Sequence, residues 1–108
     1  MKKFDEDYVL LEAMYDDGYF PDFLVDKIKS LIQNVIAFLE TEEKDLDVIQ
    51  DKLDEMTLAI NDLQEEFEEN ESELETVARE SIGETIAYVL NWFHIHIDVE
   101  DAIGARDW

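Results

Sequence analysis

Cysteine is absent from the chain, which excludes disulfides, thiolate metal ligands and thiol nucleophiles together. Proline occurs once and glycine three times in 108 residues, leaving little material for the tight turns of a sheet protein. No apolar run approaches the ~20 residues that a membrane-spanning helix needs. The opening Met1-Lys2-Lys3-Phe4-Asp5-Glu6-Asp7 has two lysines and no apolar signal core behind them. A cytoplasmic protein is the resulting expectation. Positive charge is the scarcest commodity: eight Lys and Arg stand against 30 Asp and Glu, a formal −22. Such a field repels nucleic acid and anionic membrane, and it favours basic partners or cations. The plain alternative is a well-hydrated, soluble surface.

What is present is a chain that can still fold. Hydrophobic residues make up 46%, too many for a disordered acidic tail. The clearest pattern is Leu46, Ile49, Leu53, Met56, Ile60, Leu63 and Phe67, stepping alternately by three and four. That spacing places seven side chains on one stripe of an α-helix. Asp45 is suited to cap it. The positions flanking the stripe hold Gln50, Thr57 and Gln64 on one side, and Lys52, Ala59 and Glu66 on the other. A self-sufficient coiled-coil dimer usually carries opposite charges there. Mostly small or neutral flanks fit a helix covered by two neighbours in a bundle.

The remaining segments extend the same reading. Phe4, Tyr8, Leu11 and Tyr15 predict a first helix over about Asp5 to Asp17, stopped by Gly18 in a left-handed conformation. Pro21 at the first helical position opens a second helix to about Glu40, with Leu24, Ile28, Leu31, Val35 and Phe38 as its stripe. The short Thr41–Lys44 connection makes helices two and three an antiparallel hairpin. Ser72 with Glu75 three residues on has the capping-box pattern, opening a fourth helix to Trp92. Gly83 lies within it at a cost of ~1 kcal/mol relative to Ala. Close approach of a neighbouring backbone or ring would account for it; a tolerated imperfection is the alternative. His94-Ile95-His96-Ile97 alternates and reads as an extended connection. Asp98 then caps a short helix to about Ala105, and Trp108 docks on the body. The prediction is an all-α, antiparallel bundle of four main helices plus a short C-terminal one, a single domain over 1–108, as monomer or homodimer.

The blocks Met14-Tyr15-Asp16-Asp17-Gly18-Tyr19-Phe20-Pro21, Leu24-Val25-Asp26-Lys27 and Asn61 to Asn70, with Glu73 to Glu80, carry a resemblance. Together with the closing Arg106-Asp107-Trp108, they resemble an uncharacterised family of small acidic bacterial proteins. The resemblance spans nearly the whole chain and implies a bacterial, single-domain protein. It implies no activity.

Candidate sites are few. Asp47, Asp51, Asp54, Asp62, Glu65 and Glu69 repeat on the outward side of the central helix, where acids three or four apart stand ~5–6 Å from one another. They form a negative ladder suited to a basic protein partner, in the manner of an inhibitor, immunity protein or nucleic-acid mimic. His94 and His96, two apart on an extended segment, could join Asp98 or Glu100 in a divalent-metal site and support a metal-dependent enzyme instead. The plain account is two polar positions alternating with buried Ile95 and Ile97. No Glu-x-x-His motif occurs, and a calcium loop counted from Gly18 would begin on Ala13, which cannot ligate. Asp16, Asp17, Asp22 and Asp26 lack any accompanying nucleophile and read as caps around a corner plugged by Tyr15, Tyr19 and Phe20. Arg79 is placed to pair with Glu75 within one helix. No cofactor is implied.

Overall fold

The longest helix begins where Asp45 supplies the missing acceptor. Its side chain takes the N–H groups of Asp47 and Val48, and regular helix follows from Leu46 to Glu69. In the computed structural model, which describes residues 2–108, this is α3 of five helices. The others are α1 (Glu12–Asp16), α2 (Asp22–Leu39), α4 (Thr76–Trp92) and α5 (Val99–Ala102). Three are long, and no strand occurs among the described residues. The 24 residues of α3 rise about 36 Å, which accounts for the molecule's longest extent of 40 Å.

α2 and α3 run antiparallel. Lys27 near the start of α2 meets Glu66 near the end of α3 at 2.6 Å, while Lys52 lies over the Phe38 ring at the other end. α4 packs against α1 and α5. One apolar cluster joins all five helices, through Met14, Ile28, Ile32, Ile49, Leu53, Ile60, Ile82, Ile86 and Ala102. Burying each large aliphatic side chain contributes ~1.5–3 kcal/mol. The central stripe is confirmed at Ile49, Leu53, Met56, Ile60 and Phe67; Leu63 is half-buried and Leu46 is exposed. Fully buried Thr57 extends the stripe sideways, its hydroxyl donating to the Leu53 carbonyl at 2.8 Å.

The predicted first helix is mostly not helical. Only Glu12–Asp16 forms α1, and Leu11 before it has φ of 58°. The preceding backbone finds its partners elsewhere in the chain. Phe4 N–H donates to Glu40 Oε2 at 2.8 Å, Leu11 N–H to Thr85 Oγ1 at 3.3 Å, and the Trp92 indole to the Lys3 carbonyl at 2.8 Å. Aromatic contacts reinforce this strap. Tyr8 stacks on Tyr88 with ring centroids 3.9 Å apart, and Phe4 sits edge-on to Tyr8, Tyr88 and Trp92. The apolar spacing of Phe4 and Tyr8 therefore serves docking onto α4.

Three other boundaries differ from expectation. Pro21 is extended and precedes α2 as its N-cap. Ser72 does not cap α4: its hydroxyl donates to the Tyr19 carbonyl at 3.3 Å, and Glu75 takes the N-cap position without a side-chain bond. α5 ends at Ala102, three residues early, although Asp98 caps it by accepting the Glu100 N–H.

The helix stops are also unexpected. No glycine has positive φ; Glu42, Glu71 and His94 adopt the left-handed conformation instead, each just past a long helix. At α3 the Ser72 N–H returns to Phe67 O at 2.8 Å and Glu71 N–H to Glu68 O. At α4 the Ile95 N–H returns to Leu90 O at 2.9 Å and His94 N–H to Asn91 O. Both are Schellman closures, which satisfy the last carbonyls of each helix. Gly83, in turn, has no steric reason to be glycine, since nothing lies within 4 Å of where a Cβ would stand.

Candidate protein-docking face

Five of the six acids singled out on α3 are exposed together: Asp47, Asp51, Asp62, Glu65 and Glu69. Helical geometry puts them on the side opposite Ile49, Leu53, Ile60 and Phe67. Asp54 sits at the border of that face, half-buried and accepting from Gln50 Nε2 at 2.9 Å. Among the described residues, ion pairs take Glu55, Glu66 and Glu100 and none of the five. Nor, among the described residues, does any hydrogen bond engage their carboxylates, which face solvent. Near its middle stands Leu58, 54% exposed, with Val48 and Leu46 also exposed toward the helix start. Sequence reading missed these three apolar groups, because attention to the core stripe assigns Leu46 inward and passes over the others.

The two flanks of α3 have distinct uses. Gln50 Nε2 also donates to the Asp101 carbonyl at 3.0 Å, and Asn61 Nδ2 donates to the Ala105 carbonyl at 3.0 Å. Gln64 Nε2 donates to the Asp107 carboxylate, and Asp107 N–H to Asn61 Oδ1 at 3.2 Å. A row of neutral amides thus fastens the C-terminal segment along α3. Trp108 packs against the core as expected, with the Arg106 guanidinium 5.9 Å from its ring.

Tyr15 donates to Asp26, and its hydroxyl is pushed well above the ordinary tyrosine range by burial first and by that carboxylate second. Asp17 accepts the Tyr19 N–H at 3.0 Å, a turn bond across the corner. Phe20 plugs it, buried and edge-on to Phe67, and half-buried Tyr15 packs against the core beside it; Tyr19 is exposed. Arg79 reaches Thr76 Oγ1 at 3.2 Å in place of Glu75. His94 lies in the left-handed turn after α4, so the segment is not extended at that residue; both His94 and His96 are exposed. Among the described residues no three His, Asp or Glu side chains converge as metal ligands would. No described helix is long and apolar enough to cross a membrane.

Residues 4–108 match a family of unknown function, DUF5713, and the chain belongs to that family. Neither the curated proteins nor the solved structures include a match.

Proposed function

We propose that this is a non-catalytic binding protein of the cytoplasm, whose three long helices form a bundle that presents α3 to a basic protein partner. One observation carries the reading: unpaired carboxylates line the outward side of a 24-residue helix, with Leu58 exposed among them. Charge supplies steering over distance, and burying the leucine against the partner adds apolar contact after encounter. Repulsion between acids at i and i+4 costs α3 stability.

The test is parallel capture from the source cell by the parent and by two variants. In one, Asp51→Asn, Asp62→Asn, Glu65→Gln and Glu69→Gln neutralise the ladder; in the other, Leu58→Ser removes the apolar contact. A basic protein retained by the parent, eluted by salt and lost from both variants supports the proposal. Identical capture by all three contradicts it.

A further inference from the structure

The chain has two arginines, Arg79 and Arg106, and both line one groove between α4 and α5, with a volume of about 340 Å³. Gly83 lies in the same wall, one helical turn beyond Arg79. A helical side chain leans toward the preceding turn, so a larger residue at 83 would cover the stem of Arg79. No atom lies within 4 Å of where a Cβ at 83 would stand, so the first carbon of a side chain would enter without a clash. The helix therefore carries its weakest non-proline former at a position where packing does not ask for it, and the effect is an open groove.

The groove's chemistry narrows what it could take. Arg106 is already held, by Glu100 at 3.0 Å and by the Ile103 carbonyl at 3.1 Å. Arg79 spends one nitrogen on Thr76 and keeps the rest of its planar fork for an acceptor. Val99 and Ile103 provide apolar wall. Glu80, Glu84 and Glu100 outnumber the two arginines, in a protein of formal charge −22. A phosphate or other multiply charged anion would be repelled. A ligand that offers a carboxylate to Arg79 and an ammonium to these glutamates suffers no net repulsion.

We infer that the α4–α5 groove binds a small zwitterion of the α-amino-acid class, with the carboxylate on Arg79, the ammonium among Glu80, Glu84 and Glu100, and an apolar side chain on Val99 and Ile103. This site is independent of the acidic face of α3.

The experiment titrates isotope-labelled protein with L-leucine and follows the backbone amide signals of Gly83, Val99 and Ile103. Two probes each lack one charge: 4-methylpentanoate without the ammonium, and 3-methylbutylamine without the carboxylate. Inorganic phosphate is the fourth. The expected result is saturable shifts with leucine below ~10 mM, and at least tenfold weaker binding of the other three. Gly83→Leu should abolish the shifts at Val99 and Ile103 while leaving the melting temperature unchanged or raised. Arg79→Gln should weaken binding at least tenfold in a folded protein. No saturable shift with leucine overturns the inference. So does phosphate or a singly charged probe binding as well as leucine, or Gly83→Leu retaining the parent's affinity.

Discussion

Asn61 accepts the backbone N–H of Asp107 at 3.2 Å while its own amide donates to the Ala105 carbonyl at 3.0 Å. One side chain on α3 thus reads two backbone groups of the C-terminal tail, as a strand neighbour would. Asn61→Ala leaves both groups without their partner, and the expected cost is about 1–2 kcal/mol in urea unfolding. Amide exchange at Asp107 should quicken. Parent-like stability with unchanged exchange would show that Trp108 packing alone holds the tail.

Ile60 is fully buried within the central stripe. Ile60→Asp would place an unpaired carboxylate in the core, so loss of the cooperative thermal transition by circular dichroism is expected. A melting temperature within a few degrees of the parent would mean the stripe does not face a core.

The left-handed residues after α3 and α4 are stressed where glycine would not be. Glu71→Gly should stabilise by about 0.5–1 kcal/mol, the relief of Cβ crowding exceeding the added freedom of the unfolded chain. Gly104→Ala should do the reverse, because its Cβ would meet the carbonyls of Glu100 and Asp101 at 3.2 Å. Chemical denaturation of the two variants checks the opposite signs.

Asp5 links the N-terminal strap to α4. The Tyr88 hydroxyl, donating at 2.6 Å, is the main cause that holds its carboxyl below the usual aspartate range; the Asp7 N–H adds to it. A depressed carboxyl stabilises the fold above its ordinary value of 3.8, and that contribution is lost as pH falls through the lowered value. Tyr88→Phe should therefore raise the Asp5 titration midpoint, followed by carboxyl-carbon NMR. It should also flatten the parent's stability change below about pH 4. An unmoved midpoint would show that the hydroxyl does not hold the carboxylate in solution.

These sites explain which parts of the fold were legible. Asp45 and the three-four stripe from Ile49 to Phe67 act within one helix, so periodicity and capping residues disclose them. Phe4 and Tyr8 keep the same spacing, yet their partners are Tyr88 and Trp92, eighty or more residues away. Ser72 and Glu75 have the capping pattern, but the Tyr19 carbonyl claims the hydroxyl. Tertiary hydrogen bonds override local preference in both places. The neutral flank of α3 was a readable sign of a second neighbour; that the neighbour is the tail needed the fold. The acidic ladder follows from helical spacing, and so does the place of Leu58 among the acids, outside the core stripe; the groove lined by Arg79 and Arg106 depends on how the helices pack.

The central claim is that the acids of α3 steer a partner onto Leu58. The most direct measurement is the association rate constant of the captured partner against ionic strength, for the parent and for the variant carrying Asp51→Asn, Asp62→Asn, Glu65→Gln and Glu69→Gln. The parent's rate should fall on the order of tenfold as salt rises past physiological strength, where screening shortens below ~8 Å. The neutralised variant should start slower and respond much less. Parallel curves of equal height would contradict the account and leave the acidic face as solvated surface.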